Sequence, residues 1–241
     1  MSSDARSEAL LELVRFNVSE STVGDTLQRI AEITLKAVSA ADISGITMLG
    51  EDGQPTTGVY TDEISPEVDA AQYAAGRGPC LDAWREHRVV LVDHIDDELD
   101  RYPEYEATAR AHGILSTLGV PLLSQGTGIG AMNLYARTAH SFTPEDATLA
   151  TELGVAAASV LANVCAYWTA FDLGQQLDEA MRTRAVIEQA KGMLMARSPA
   201  LTADEAFDVL RRASQRENVK LRTIAARLVD RTAAVDASLD A

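Results

Sequence analysis

The sequence is poor in the residues that build metal centres and disulfide frameworks. Cysteine occurs only at Cys80 and Cys165, and the wide separation of the two predicts neither a disulfide framework nor a zinc site. No stretch approaches the roughly 20 apolar residues of a membrane span, and the amino terminus lacks the pattern of a signal peptide. Because 46% of the residues are apolar, a packed core is expected. We therefore expect a folded cytoplasmic protein that does not bind membranes.

Patterns of catalytic residues and metal ligands are also scarce. The four histidines share no i, i+4 spacing with one another, and the acidic segment after His94 is typical of a solvated loop rather than a cation site. Residues 126–130 resemble a hairpin turn more than a phosphate-binding loop. Cys80 follows a Gly-Pro turn, where a structural role outweighs a redox or chromophore role. We expect no enzymatic activity, no metal and no cofactor.

Charge is distributed unevenly along the chain. The net charge is −15, yet residues 182–231 contain eleven basic and six acidic residues and carry a net charge of +5. A basic segment on an acidic protein is typical of contact with a phosphate-rich partner, although a solvated helix surface is the simpler alternative. The acidic remainder should repel nucleic acid.

Short apolar runs separated by turn residues predict one antiparallel sheet in the first two thirds of the chain. The predicted strands are residues 43–49, 56–61, 89–92, 116–123 and 129–136, with a turn at residues 51–53. Helical spacing is found between and before them, at residues 23–38, 66–75, 80–86 and 102–112. The fold class is therefore α+β.

A long helix should follow Thr143, which is a good N-cap before Pro144. No proline recurs before Pro199, and apolar residues at helical spacing favour a helix that pairs with its copy in a homodimer. The alternative is two helices that meet near Gly174. Inside the predicted helix, Gly192 suggests a close approach to another helix.

Two shorter helices should complete a small three-helix bundle with a thin core. Thr202 and Glu205 form a capping box for the first, and Asn218 is placed to end it in a left-handed conformation. Phe207 is the only aromatic residue of this region and lies on an apolar stripe, so we expect it in the core.

The region 182–230 resembles the ANTAR family of RNA-binding transcription antitermination regulators. The residues that carry the resemblance include the motif Gln189-Ala190-Lys191-Gly192, Ala206-Phe207, Leu210-Arg211 and Lys220-Leu221. The resemblance implies binding to tandem stem-loops of a nascent transcript, so that a terminator cannot form. RNA loops suit sequence-specific recognition because their unstacked bases expose their edges. The expected RNA-contacting residues are Arg184, Lys191, Arg211, Arg212, Ser214, Arg216, Asn218, Lys220 and Arg222. Ser214 and Asn218 have a structural role as the equal alternative.

The region 23–166 resembles a GAF domain, most closely those joined to ANTAR domains in actinobacterial regulators. The resemblance rests on residues 76–83, 116–123 and 130–135. It implies a sensor for a small molecule or a partner, although ordinary packing is the alternative for each candidate lining residue. Those candidates are Arg77, Trp84 and Tyr105.

The complete prediction is therefore a GAF-like sheet with flanking helices, a long connecting helix and a three-helix ANTAR bundle. The expected segments are an N-terminal helical extension (1–22), a sensor domain (23–166), a connecting helix or coiled coil (167–181), an RNA-binding domain (182–231) and a tail (232–241). The alternative function is a DNA-binding regulator that uses its last two helices as a helix-turn-helix.

Overall fold

The structure of the protein is a computed structural model that describes residues 3–15, 21–50, 54–98 and 100–239. The chain forms two compact units, Met1–Trp168 and Thr169–Ala241. The predicted turn at residues 51–53 lies outside the described residues, as do residues 1–2 and 16–20 of the predicted extension and residues 240–241 of the predicted tail.

The first unit contains a five-stranded antiparallel sheet with the order β2-β1-β5-β4-β3. Each predicted strand is present within about two residues of its expected ends. The strands are β1 (Ile43–Leu49), β2 (Pro55–Tyr60), β3 (Val90–Val92), β4 (Ser116–Ser124) and β5 (Thr127–Ala136). The α+β fold class is confirmed.

Helices precede, connect and follow these strands. They are α1 (Ser3–Val14), α2 (Val23–Ala37), α3 (Ile64–Ala75), α4 (Pro79–Glu86), α5 (Pro103–Ala111), α6 (Pro144–Arg197), α7 (Ala203–Glu217) and α8 (Leu221–Leu239). A short 3₁₀ helix covers Ile95–Glu98. α8 continues past residue 231, where the predicted RNA-binding domain ends.

One face of the sheet is apolar and holds the larger core. Side chains alternate between the two faces of a strand, so Ile46, Met132 and Leu134 share a face with Leu118 and Val120. These residues are fully buried and pack with apolar residues of α2 and of the first turns of α6. Burial of this apolar face is the main source of stability of the first unit.

The opposite face of the sheet is covered by α3, α4 and α5. Apolar contacts there involve Ile43, Val68 and Tyr105, and they are joined by several buried polar residues. The start of α4 lies close to β4, because a Cβ on Gly119 would be only 2.9 Å from the carbonyl oxygen of Pro79. Glycine at this position is therefore required by the close approach of the helix backbone.

α6 is one continuous helix, so the alternative of two helices meeting near Gly174 is wrong. The helix also corrects the expectation that no segment could span a membrane. By length and composition alone, α6 is apolar enough to do so, with a window of mean hydropathy 1.6. However, 44% of that window is buried inside the protein, as in the core helix of a soluble domain.

The second unit has a thin core formed by the end of α6 with α7 and α8. Ala190, Leu210 and Ala225 are buried, and Ile224 is nearly so. Two expectations about this unit are wrong. Phe207 is 38% exposed instead of lying in the core. A Cβ at Gly192 would meet no atom within 4 Å, so the structure gives no close packing as the reason for this glycine.

Local signals at the helix ends are confirmed. The side chain of Thr202 accepts a hydrogen bond from the backbone N–H of Glu205, and the Glu205 carboxylate accepts from the backbone of Thr202. Asn218 ends α7 with φ 52° and ψ 42°, which is the left-handed conformation. The Ser214 hydroxyl donates to the carbonyl oxygen of Val219 at 2.6 Å and holds the same turn.

The left-handed conformation of Asn218 gives a prediction about stability. Asn218→Ala should lower the free energy of unfolding of the second unit by about 1 kcal/mol, because a Cβ disfavours this conformation and alanine has no compensating polar group. Asn218→Gly should be close to neutral, since glycine adopts positive φ freely. Urea unfolding followed by circular dichroism checks both variants. Equal destabilisation by the two substitutions would contradict a backbone origin of the effect.

Candidate functional site

Nine basic residues of the second unit fall into two groups by their contacts. In the first group, a carboxylate lies within ion-pair distance. The pairs are Lys191–Glu188 (2.9 Å), Arg211–Asp208 (2.7 Å), Arg182–Asp178 (2.8 Å), Arg227–Glu217 (3.1 Å) and Arg222–Glu179. Because most of these side chains are exposed, each pair contributes about 1 kcal/mol or less, and a polyanion can replace the carboxylate.

The second group consists of Arg184, Arg212, Arg216 and Lys220, whose charges are less neutralised. Within the described part of the chain, no carboxylate pairs with Arg184, Arg212 or Lys220. Arg216 has only the adjacent Glu217 at 3.9 Å. Arg212 and Arg216 are four residues apart on α7 and share a face of that helix. Lys220 follows in the turn, so we name Arg212, Arg216 and Lys220 the basic ridge.

Three other candidates for RNA contact are constrained by the fold. The side chain of Lys191 is only 14% exposed, because the helix packs in the thin core one residue before it. Ser214 and Asn218 hold the turn between α7 and α8, as described above. A contact of these residues with RNA remains a prediction.

In the first unit, the three predicted ligand-binding residues have separate partners. Arg77 is exposed and donates to the carboxylate of Glu104 at 3.0 Å. Trp84 donates from Nε1 to the carbonyl oxygen of Gly128 at 3.2 Å. Tyr105 is buried and its hydroxyl contacts that of Thr117. Tyr105 is thus fully buried, Trp84 is half-buried against β5 and Arg77 is exposed, and the role of all three in ligand binding stays a prediction.

A cluster of buried polar side chains lies between the sheet and α3 and was missed by the sequence analysis. Its centre is Asp69, which is 0% exposed. The carboxylate accepts four hydrogen bonds from neutral donors. They come from Thr57 Oγ1 (2.9 Å), Asn133 Nδ2 (3.1 Å), Gln72 Nε2 (3.3 Å) and the Tyr135 hydroxyl. We name these five residues, with Thr47, Ser65, Tyr73 and Cys80, the Asp69 cluster.

Burial controls the acid–base chemistry of this cluster. It raises the pKa of Asp69 from 3.8 to about 6, although hydrogen bonds from Tyr135, Thr57 and Asn133 act in the opposite direction. Burial also raises the pKa of the Cys80 thiol to about 12, with a further contribution from the charge of Asp69. Cys80 is therefore a protonated thiol at neutral pH and lacks the thiolate that redox chemistry requires.

A pattern in the sequence could have revealed Asp69. Ser65, Val68, Asp69 and Gln72 recur at i, i+3, i+4 and i+7, which places three polar residues on the buried stripe of α3. Among the described residues, no group of three or more His, Cys, Asp or Glu side chains could hold a metal ion.

The buried carboxylate leads to a prediction about pH. The folded state binds the proton of Asp69 more tightly than the unfolded state does, so this residue stabilises the fold below pH 4. That stability is lost as the pH rises through about 6. The other titratable groups that face Asp69 are Tyr73, Cys80 and Tyr135. Burial raises the pKa of Cys80 to about 12 and raises the pKa values of both tyrosines, so none of the three titrates in this pH range.

Asp69→Asn should remove this dependence. Relative to the variant, the wild-type protein should lose up to roughly 3 kcal/mol of unfolding free energy between pH 4 and pH 7.5. Urea unfolding across this range measures the difference. Parallel curves for the two proteins would show that Asp69 does not titrate between its ordinary pKa and 6.

The fold of the first unit is shared with solved structures of low sequence identity. One is the GAF domain of a phosphoenolpyruvate-protein phosphotransferase from Coxiella burnetii, with a TM-score of 0.53, 14% identity, and coverage of 70% of this chain and 99% of that one. Another is free methionine-R-sulfoxide reductase from Neisseria meningitidis in complex with its substrate. Its TM-score is 0.53 at 20% identity, with coverage of 69% of this chain and 95% of that one. Both show the fold alone.

Two protein-family models match the sequence of this chain. None of the curated proteins is similar in sequence to this chain. The model of the GAF domain matches residues 20–162, and the model of the ANTAR domain matches residues 175–229. A GAF domain is a small-molecule-sensing domain, and an ANTAR domain is an RNA-binding antitermination domain; both are regulatory. The chain therefore belongs to the GAF domain family and has the architecture of a GAF–ANTAR regulator.

Proposed function

We propose that this protein binds tandem stem-loops in nascent transcripts through its ANTAR domain and so prevents transcription termination, under the control of its GAF domain. It acts in the cytoplasm, where transcripts are made, and it neither binds membranes nor catalyses a reaction. The single observation that carries the proposal is the ANTAR match over residues 175–229, which coincides with the basic second unit.

The surface chemistry of the second unit supports a role in RNA binding. The basic ridge presents Arg212, Arg216 and Lys220 near one end of α7, where a polyanion meets little competition from carboxylates of the protein. Arginine suits this role because its planar group donates in pairs to phosphate and stacks on exposed bases. The whole chain has a net charge of −15 and residues 182–231 have +5, so the rest of the chain carries −20. This negative charge does not attract RNA.

The basic ridge is tested with the variant Arg212→Ala/Arg216→Ala. Its affinity for a dual-hairpin RNA should fall by roughly tenfold, because two charge-assisted contacts are lost. The slope of log affinity against log salt should also become shallower by about 1.5, since each phosphate contact contributes about 0.7 to 0.9. Gel shift at several salt concentrations measures both quantities.

The matched control is Arg182→Ala/Arg227→Ala, which removes the same charge from the same unit outside the predicted contacts. It should leave the affinity within about twofold if position matters more than net charge. Lys191→Ala and Arg211→Ala should also weaken binding. Equal losses in the ridge variant and the control would reject the basic ridge, and equal binding to duplex DNA of the same charge would favour the DNA-binding alternative.

We propose further that the protein is a homodimer, because α6 exposes an apolar seam within the second unit. Ala170, Leu173, Leu177 and Ala180 recur with alternating spacings of three and four residues, and Ile187 continues the pattern seven residues after Ala180, with the charged Arg184 between them. Such spacing is the pattern of a coiled coil. Leu173 and Leu177 are 65% and 60% exposed, which is unusual for leucine on a helix without a partner.

A groove continues this seam. It has a volume of about 700 Å³ and is lined by Ala180, Arg184 and Ile187 of α6 and by Phe207 of α7. Glu179 and Glu188 also line it beside Arg184 and make it a poor site for RNA, so the predicted contact of Arg184 with RNA and the docking of a second α6 exclude each other. The second copy of α6 is an occupant of matching apolar character, and its docking would cover Phe207.

The seam is tested with Leu177→Glu. Because Leu177 is exposed in the single chain, a charge there should leave the fold intact and convert the dimer to a monomer through the cost of burying a charge. Sedimentation velocity gives the mass, and circular dichroism checks the helix content. Gln189→Glu adds the same charge at an exposed position off the seam and should remain dimeric. A Leu177→Glu protein that stays dimeric would place the interface elsewhere.

A further inference from the structure

The Asp69 carboxylate is a buried anion without a cation. Among the described residues, no Arg, Lys or His side chain forms an ion pair with it, and its four hydrogen bonds all come from neutral groups. Fully buried carboxylates in proteins are almost always paired with a positive charge, because desolvation of an isolated anion is costly. The cluster therefore lacks a positive partner.

Two further acceptors in the same cluster lack a donor. The Asn133 Oδ1 atom and the Ser65 hydroxyl oxygen are buried and make no hydrogen bond within the described structure. Such atoms are rare in folded proteins, and each calls for a specific explanation. Ser44 also has an unbonded buried oxygen, but its side chain lies on the opposite face of the sheet. Asn133 and Ser65 lie on the same side of the sheet as Asp69.

The three groups converge on one place. Ser65 and Asp69 are four residues apart on α3, so their side chains lie on the same helix face. Ser65 Oγ lies 2.5 Å from the position of a Cβ on Gly45, and Gly45 pairs directly with Asn133 across β1 and β5. Asn133 in turn donates from Nδ2 to Asp69 at 3.1 Å. Ser65 and Asn133 thus lie beside the glycine position of β1, and Asp69 lies next to both, through the helix face that it shares with Ser65 and the hydrogen bond from Asn133.

We infer that this place binds a small ligand through a primary ammonium group, with Asp69, Asn133 Oδ1 and Ser65 Oγ as its three acceptors. An ammonium group supplies the missing positive charge and has three N–H donors. A water molecule offers two donors and no charge, so it leaves the carboxylate unpaired. The inference rests on the proposed sensing role of the GAF domain and specifies the ligand class.

Gln72 connects this site to the rest of the domain. Its Nε2 donates to Asp69 over 3.3 Å, the longest of the four bonds, and its Oε1 accepts from the backbone N–H of Cys80 at 2.9 Å. The side chain also packs on Gly78, where a Cβ would lie 2.3 Å from Oε1. A ligand larger than ammonium that reaches Asp69 displaces this amide and releases the start of α4, which gives the domain a second state that the ligand stabilises.

The inference is tested on the full-length protein at pH 7.5 with ammonium, methylammonium and tetramethylammonium chlorides at equal ionic strength. The first two should raise the melting temperature by mass action, whereas tetramethylammonium, which has the charge but no N–H donor, should not. Isothermal titration then gives the affinity for methylammonium. Identical melting curves in the three salts would overturn the inference and leave the RNA and dimer proposals untouched.

Variants locate the binding. Asp69→Asn should weaken methylammonium binding by at least about tenfold, as expected for loss of a hydrogen-bonded charge partner. Ser65→Ala keeps the charge and should weaken it roughly fivefold through the loss of one acceptor; this variant decides the matter if Asp69→Asn does not fold. Asp97→Asn makes the same charge change at an exposed position and should bind like the wild type.

Undiminished binding by Asp69→Asn and Ser65→Ala would place the amine elsewhere and overturn the assignment. Binding of a ligand without an amine in place of methylammonium would overturn the ligand class but keep the sensing role.

Discussion

The alternation of side chains on β1 and β5 is the constraint on which the first unit depends. These strands are neighbours in the sheet, and helices cover both faces of the sheet at this point. Ile46, Met132 and Leu134 point to the face that α2 and α6 cover, while Thr47, Asn133 and Tyr135 point to the other. A shift of the register by one residue would exchange the two sets and bury the polar groups in an apolar core. The register therefore fixes both the core and the Asp69 cluster.

Burial of polar residues on one face has a cost that the hydrogen bonds only partly offset. In the low dielectric between the sheet and α3, the bonds to Asp69 are strong, but the two unbonded oxygen atoms and the unpaired charge are unfavourable. A stable domain with such a cluster has stabilising interactions elsewhere, here in the apolar core on the opposite face. The same imbalance is the basis of the proposed amine site, because a group that satisfies the cluster gains binding energy from the unfavourable interactions that it removes.

The second unit follows a different rule, since its core is too small to bury all of its apolar residues. Ala190, Leu210 and Ala225 fill the space between three helices, and alanine brings the helices together without covering much area. Phe207, Leu173 and Leu177 stay exposed as a result. On the same helices, Lys191, Arg211 and Arg222 form ion pairs with nearby carboxylates, whereas the charges of the basic ridge are less neutralised. The unit thus presents an apolar seam and a basic ridge as separate surfaces, as the proposed dimer and the proposed RNA contact require.

Local interactions were determined by the sequence itself. The capping box of Thr202 and Glu205, the left-handed Asn218 and the strand Ile43–Leu49 each depend on residues close in the chain, and each could be predicted. The family motifs likewise gave the two domains. The surroundings of Asp69, Phe207 and Gly192 were decided by tertiary structure. Asp69 is buried because α3 packs on the sheet. Phe207 is exposed because the small core of the three helices leaves it uncovered. The physical reason is that the free energy of a buried charge or an exposed ring depends on atoms distant in the chain, which no local pattern specifies.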